Sequence, residues 1–188
     1  LHLSVHSFPT RRSSDLYHSM IEEQEFFSGG DVLWRLRSGD KFNAIREIIY
    51  GAPTFAAVEG LDLDVFADTV IERERLQSTG LGHGVAVAHG RTEMVSELHI
   101  ALGISPEGIA FEAYDGYPVH LIFVIANHPE QQTEYLQVLS TVAAMVRNDS
   151  FRSQILGCFG RDEAERLVGS QFTRLLETRS TPRPPRAG

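Results

Sequence analysis

The stretch Ile71-Glu-Arg-Glu-Arg-Leu-Gln-Ser-Thr-Gly-Leu-Gly-His-Gly-Val-Ala-Val-Ala-His-Gly90 decides the fold, because it joins the end of a helix to a buried strand through a glycine-rich loop. The helix is predicted to begin at Asp62 or Asp64 and to end near Gln77, with apolar residues along one face. The strand, Val85–His89, carries small apolar residues on both faces, which is typical of an interior strand in a covered sheet.

Strands and helices interleave on both sides of this stretch. Alternating or β-branched apolar residues predict further strands at residues 31–37, 97–102 and 119–126. Apolar spacing and caps predict helices over residues 42–49 (capped by the turn Ser38-Gly-Asp40), about 131–147, 151–156, and from a capping box at Asp162-Glu-Ala-Glu165. This order places the chain in the α/β or α+β class, with helices covering one sheet.

The composition excludes several classes of protein. The 188 residues are 42% hydrophobic, enough for a packed core, and no apolar run approaches the roughly 18 residues of a membrane span. Seventeen basic against 25 acidic residues give a net charge of −8, which argues against a general nucleic-acid binder. The one cysteine, Cys158, permits no internal disulfide, and the lack of cysteine pairs fits a reducing cytosol.

Both ends of the sequence are expected to lie outside the folded domain. Residues 6–16 resemble the in-frame translation of a sequencing adapter, so residues 1–16 are interpreted as an artefactual leader. The polar residues 17–30 are predicted to form a flexible leader, and the proline- and arginine-rich residues 178–188 a disordered tail. A single domain is thus predicted over residues 31–177.

Histidines are the first candidates for chemistry, since four of them lie between positions 83 and 120. His83 and His89 are six residues apart in an extended segment, which separates them by roughly 20 Å at about 3.3 Å per residue. One zinc ion cannot bridge them unless the chain folds back, and the sequence has neither a cysteine pair nor an HExxH motif. We therefore predict no metal site, and interpret His99, His120 and His128 as strand-surface or loop residues.

His89 and Arg73 are the residues that the pattern favours for function. His89 ends the buried strand, at the edge where ligands of α/β sheets usually bind. Arg73 lies near Val70 on the apolar side of the preceding helix, where a guanidinium needs an anionic partner. Two partners fit, a nearby carboxylate or a phosphate, whose oxygens match the guanidinium fork.

Three ordered segments carry a resemblance to a known family. They are the opening stretch, residues 71–90; Ile109-Ala-Phe-Glu-Ala-Tyr-Asp-Gly-Tyr-Pro-Val119; and Tyr135-Leu-Gln-Val-Leu139. Together the chain from about Asp31 to Leu176 resembles the type-2 enzyme IIA domains, the mannitol/fructose and nitrogen-regulatory class of the phosphoenolpyruvate-dependent phosphotransferase system. With the pattern above, this resemblance implies a mixed β-sheet of about four or five strands covered by helices on both faces.

The resemblance implies roles for individual residues. His89 matches the histidine that accepts a phosphoryl group, and Arg73 matches the arginine that steadies the phosphate. Ala88 stands where a proline commonly precedes that histidine, and Tyr135 replaces the second active-site histidine. A tyrosine can donate a hydrogen bond, but it cannot supply a positive charge.

The glycine loop and two other residues complete the candidate site. N–H groups of the Thr79–Gly82 loop, including Gly80, are expected to meet the phosphate oxygens beside Arg73. His83 either compensates in part for the missing histidine or is an exposed loop residue. The ring nitrogen of His89 that does not attack is expected to be held by a hydrogen bond. Cys158 is interpreted as a core residue rather than a reactive one.

The resemblance also implies a function and its partners. The leading hypothesis is a cytoplasmic phosphocarrier that takes a phosphoryl group from an HPr-like protein and passes it to an enzyme IIB, with no cofactor and no metal. The alternative is a regulatory IIA protein whose phosphorylation state at His89 controls partner binding rather than sugar uptake. A third possibility is an accessory domain of a larger transporter or antiporter. Neighbouring IIB and IIC genes would distinguish a sugar-specific subunit from a regulator.

Overall fold

Five strands and six helices follow one another in the described part of the chain, which comprises residue 21 and residues 24–180 of a computed structural model. The strands are β1 (Val32–Trp34), β2 (Gly80–Gly82), β3 (Val85–Arg91), β4 (His99–Ile109) and β5 (Val119–Asn127). The helices are α1 (Lys41–Gly51), α2 (Pro53–Ala56), α3 (Leu63–Leu76), α4 (Gln132–Val146), α5 (Asp149–Leu156) and α6 (Arg161–Ser180).

The strands form one mixed sheet in the order β1-β4-β5-β3-β2. β1 runs parallel to β4, β4 antiparallel to β5, and β3 parallel to β5, while β2 pairs antiparallel with the start of β3. This confirms the predicted mixed sheet of four to five strands. Because β2 reaches only the beginning of β3, no described strand pairs with the outer side of β3 at its carboxyl end.

Helices cover both faces of the sheet, as predicted, and enclose two cores. The odd-numbered residues at the start of β3 pack with α4, α5 and α6, and the even-numbered residues pack with α1 and α3. Alternate side chains of a strand point to opposite faces. His89 and Arg91 therefore lie on the side of the sheet that α4 covers.

Aspartate caps begin two of the helices where the sequence predicts them. Asp40 accepts hydrogen bonds from the N–H groups of Phe42 and Asn43, and Asp62 accepts from those of Asp64 and Val65. A side-chain cap of this kind satisfies N–H groups that have no acceptor within the helix. α3 thus begins directly after the predicted cap Asp62, and it ends at Leu76, one residue before Gln77.

Several details differ from the sequence prediction. The capping box at residues 162–165 is wrong, because α6 already begins at Arg161 and Glu165 instead accepts the N–H of Gly30 at 2.6 Å. β3 continues through Gly90 to Arg91, and β4 continues past Leu102 to Ile109. The short elements β2 and α2 were absent from the prediction.

The end of the predicted flexible leader that the structure describes is packed into the core. Phe26 and Phe27 are buried, and their rings meet Phe172 of α6 edge-on at centroid distances of 5.2 and 5.3 Å. Two buried phenylalanines stabilise a chain by several kcal/mol (~1.5–3 each), so residues 24–30 belong to the fold. The predicted adapter-derived leader and residues 181–188 of the predicted tail lie outside the described residues, and residues 178–180 continue α6.

The described residues were also compared with the expectations that the chain has no membrane span and no metal site. None of them is long and apolar enough to cross a membrane. Within the same residues, no three His, Cys, Asp or Glu side chains come together in a way that suits a metal ion.

Candidate functional site

His89 lies near the carboxyl end of β3, half-buried, on the face covered by α4. The residue after it has a packing reason to be glycine. A Cβ built on Gly90 would lie 2.8 Å from Cγ2 of Val70 and 2.9 Å from Cε2 of Phe66, both on α3. The missing side chain thus lets α3 approach β3 closely just beyond the histidine. The same approach brings the last turn of α3 to the site.

Tyr135 packs against His89 from the first turn of α4. The two ring centroids are 5.3 Å apart and the rings are tilted by 44°. Burial raises the pKa of the Tyr135 hydroxyl above its ordinary value, and the charges of Arg91 and Arg73 oppose this rise. The hydroxyl therefore stays protonated at neutral pH and is a neutral hydrogen-bond donor.

His89 is held in its uncharged form. Its pKa is lowered, first by burial and then by the positive charge of Arg73, with Arg91 adding to the effect and the backbone of Val87 opposing it. Its Nδ1 is enclosed and has no hydrogen-bond partner of good geometry among the described residues. The expected hydrogen bond to the second ring nitrogen is thus not formed with good geometry, and the backbone of Val87 is the group that acts on the ring as a hydrogen-bond partner. The imidazole is neutral at physiological pH and has one nitrogen enclosed.

Arg73 reaches the site from the last turn of α3. Its Nη1 donates to the carbonyl oxygen of Gln77 at 3.0 Å, and the side chain is partly exposed. Within the described part of the chain no carboxylate lies within 4.0 Å of its guanidinium. The sequence left a carboxylate or a phosphate as the partner of Arg73, and the described residues supply no carboxylate.

A buried ion pair fixes the turn that follows α3. The side chain of Glu74 is fully buried, and its Oε1 lies 3.4 Å from Nζ of Lys41. Its Oε2 accepts both the N–H and the hydroxyl of Thr79, at 2.9 and 2.5 Å. This network anchors the turn at residues 77–79, and hence the carbonyl that receives Arg73.

The predicted glycine loop runs beside β3, on the side away from β5. Both donors of Thr79 are occupied by Glu74, and Gly80 and Gly82 pair with the start of β3. The loop also lies nearer to His89 at its other end, since the carbonyl oxygen of Thr79 accepts the N–H of Val87, two residues before His89, at 3.1 Å. That N–H groups of this loop meet a phosphate on His89 stays a prediction.

His83 lies farther from the site still. It occupies the turn between β2 and β3 with a φ of 55°, and its N–H donates to Asp115 at 2.8 Å. The side chain is exposed, so of the two interpretations the structure favours the loop residue over the substitute for a second histidine.

Arg91 is a residue at this site that the sequence analysis missed. It follows His89 by two positions on the same face of β3, and its Nη2 donates to Oε1 of Gln132 at 2.8 Å. Its charge acts on the pKa of both His89 and Tyr135. The spacing of two from His89 on a strand was the available signal. Gln132, 41 residues further on, was not recognisable as its partner.

Cys158 lies away from this site, in the core formed with α4, α5 and α6. Its Sγ is 3.4 Å from the carbonyl oxygen of Gln154, and burial raises the pKa of the thiol. A protonated, buried thiol is a poor nucleophile, which agrees with the interpretation of Cys158 as a core residue.

Comparison with known proteins gives a consistent result. Residues 33–170 match the family model described as "Phosphoenolpyruvate-dependent sugar phosphotransferase system, EIIA 2". The chain is 30% identical over 138 residues to the "PTS system fructose-specific EIIABC component" of Bacillus subtilis, covering 73% of this chain and 21% of that protein. It is 34% identical over 95 residues to the "PTS system fructose-specific EIIA component" of Haloferax volcanii, covering 50% of this chain and 62% of that one.

A solved structure shows the same fold. The nitrogen regulatory protein IIA-Ntr from Neisseria meningitidis is 28% identical, with a TM-score of 0.69 over 79% of this chain and 99% of that one. The similarity to the two fructose-specific relatives spans less than two thirds of the length of each.

Proposed function

Since this chain belongs to the EIIA 2 family of the phosphoenolpyruvate-dependent sugar phosphotransferase system, we propose that it is a phosphocarrier domain that holds a phosphoryl group on His89. One observation carries the proposal. A half-buried histidine with a lowered pKa lies at a strand end beside two arginines, without a carboxylate among the described residues to neutralise Arg73.

The chemistry needs a neutral imidazole with a free lone pair. Because Nδ1 is enclosed, we assign the proton to Nδ1 and the attack to Nε2. The Nε2–P bond forms in line as the bond between phosphorus and the donor's nitrogen breaks, and the donor nitrogen keeps that electron pair. The proton on Nδ1 of His89 stays in place, so the step needs no general base.

Two side chains, one from each of two helices, would stabilise the negative charge on the phosphoryl oxygens. The guanidinium of Arg73, held by the Gln77 carbonyl, supplies a cation from α3. The hydroxyl of Tyr135, whose ring packs against His89, supplies a neutral donor from α4. Donors fixed before the reaction stabilise developing charge without reorganising.

The partners follow from the family. An HPr-like phosphocarrier would donate the phosphoryl group, and an enzyme IIB domain or a regulatory target would receive it. The name of the Bacillus relative joins A, B and C components in one protein, which supports a IIB domain as acceptor. Such a relay would operate in the cytoplasm.

A second candidate function is favoured by Tyr135. A histidine at this position could become cationic beside the phosphate dianion, whereas a tyrosine with an ordinary pKa near 10, raised here by burial, cannot. A slowly transferring site suits a protein whose phosphorylation state is read by a partner. The likeness to the Neisseria nitrogen regulatory protein agrees with this alternative.

Phosphorylation by purified partners tests the assignment. The chain is incubated with phosphoenolpyruvate, enzyme I and HPr, and we expect an acid-labile, base-stable label that mass spectrometry maps to His89. His89→Ala should take no label, while His120→Ala, which changes a histidine whose Nδ1 lies 2.9 Å from the Ser105 carbonyl oxygen, should label as the wild type does. Label that survives in His89→Ala, or that maps to Tyr135, would contradict the proposal.

A further inference from the structure

We propose that Arg91, held in place by Gln132, is a second cation that contacts the phosphoryl group on His89. This inference rests on the proposed function. It assigns to Arg91 the positive charge that Tyr135 does not supply, and to Gln132 a positioning role.

The geometry consists of two parallel contacts between β3 and α4. In the first, the ring of His89 packs against the ring of Tyr135. In the second, Arg91 bonds to Gln132. The strand residues are two apart and lie on one face, and the helix residues are three apart and are neighbours on the helix surface. The guanidinium of Arg91 is therefore adjacent to the His89–Tyr135 pair.

The electrostatic effect of Arg91 on His89 and Tyr135 agrees with this arrangement. Its charge disfavours a proton on His89 and favours deprotonation of Tyr135, as the charge of Arg73 does. Arg73 comes from α3, which packs on the face of the sheet opposite α4, and Arg91 comes from β3 itself. A phosphoryl group on Nε2 would thus meet guanidinium groups from two elements.

The partner of Arg91 leaves its charge available. Gln132 offers a neutral amide oxygen, which orients the guanidinium without cancelling its charge. In the part of the chain that the structure describes, no carboxylate lies within 4.0 Å of Arg91. A phosphate oxygen is the class of group that such a fork binds best. Arg91 gives up no proton, so the balance of the transfer step is unchanged.

Four variants of the full chain test the inference, with Arg46→Gln as the matched control. Arg46 is a partly exposed arginine that pairs with Asp68, between α1 and α3. Arg91→Gln removes the charge, and Arg91→Lys keeps the charge without the planar guanidinium group. Gln132→Ala keeps the arginine but removes its hydrogen-bond partner. Two quantities are measured, namely the rate of phosphorylation of His89 by phosphorylated HPr, and the titration of the bound phosphate by ³¹P NMR.

We expect Arg91→Gln to slow phosphorylation by about tenfold or more, the effect of one lost charge-assisted contact. The pKa of the phosphate should rise at the same time, because a neighbouring cation favours its dianion. Arg91→Lys should fall between this variant and the wild type, Gln132→Ala should shift both quantities by a smaller amount, and Arg46→Gln should change neither.

Two results would overturn the inference in different ways. If the wild type is labelled on His89 but Arg91→Gln and Arg91→Lys keep both its rate and its phosphate titration, Arg91 is a strand-surface residue and the phosphocarrier proposal stands. If the wild type takes no label on His89, the proposed function fails, and the role of Arg91 fails with it.

Discussion

At the scale of single residues, Tyr135 distinguishes this site from one with two histidines. Its hydroxyl is a neutral donor, and one charge-assisted contact is worth about 1.5–3 kcal/mol. We therefore expect Tyr135→His to speed phosphoryl transfer by about tenfold to a hundredfold, and Tyr135→Phe to slow it slightly or not at all. Stopped-flow transfer from phosphorylated HPr measures both. An unchanged rate in folded Tyr135→His would mean that the hydroxyl already suffices, and the regulatory alternative would lose its main support.

Arg73 allows a similar test with a control from its own helix. Arg73→Ala should leave the fold intact and slow phosphorylation of His89 by about tenfold or more, because a charged phosphate contact is lost. Arg75→Ala is the control, since Arg75 lies in the same turn but faces the ring of Phe42. Equal rates for Arg73→Ala and Arg75→Ala would leave Arg73 with its Gln77 contact as a purely structural residue.

At the scale of elements, the close packing of α3 on β3 determines the position of Arg73 relative to His89. Gly90→Ala places a methyl group 2.8–2.9 Å from side-chain atoms of Val70 and Phe66, so these side chains or α3 as a whole must shift. Overpacking of this kind typically costs about 1–3 kcal/mol. We expect a lower urea midpoint and slower phosphorylation in Gly90→Ala.

The control for that variant is Gly39→Ala, because a Cβ at Gly39 meets nothing within 4 Å. It should unfold and phosphorylate like the wild type. A Gly90→Ala chain with wild-type stability would show that α3 adjusts freely, and the link between this packing and the position of Arg73 would be wrong.

The same elements show what sequence reasoning could find. The start of α3 and its last turn are marked locally, by the Asp62 cap and the apolar periodicity, and both were predicted. The path of Gly80–Gly82 cannot be read from these residues alone, because it depends on their pairing with Val85 and Ala86. Glycine has a low strand propensity, so the composition of the loop did not indicate that pairing. The sequence alone therefore could not position this loop relative to His89, whereas it named His89 and Arg73 together.

At the scale of the whole molecule, Asp31 precedes β1 and lies near both α2 and α6. Its Oδ1 accepts the N–H of Thr54 at 2.8 Å, and Glu165 of α6 is near enough to act on it. Burial, offset in part by the Thr54 bond and increased by Glu165, raises the pKa of Asp31 to about 6. Between its unfolded pKa, near 3.8, and this value, the folded state binds a proton that the unfolded state lacks. Stability is therefore lost as pH rises through that window.

Asp31→Asn should remove this dependence. After allowing for solvent screening, we expect the variant to be more stable than the wild type by about 1 kcal/mol at neutral pH, with the gain shrinking as pH falls toward about 4. Urea unfolding at several pH values measures it. A gain that is the same at acidic and neutral pH would show that Asp31 does not titrate in this window.

Long-range packing was the least predictable part of the molecule. Phe26 and Phe27 stand in a polar stretch that reads as a leader, yet they bury against Phe172, about 145 residues away in the chain. Arg91 and Gln132 meet only because α4 crosses β3. Contacts of this kind are set by the arrangement of elements, which local patterns do not encode.

The strand order has a consequence for a chain that is still being synthesised. β1 and β3 are made early, but they are not neighbours, because β4 and β5 lie between them. When the chain has been made as far as residue 98, β2 and β3 are therefore the only neighbouring strands of the sheet present, and Val85 and Val87 on the face that α4 covers remain exposed. His89 gains its aromatic neighbour only after α4 emerges. A nascent chain should thus expose this apolar face of β3 until residues 132–146 have been made.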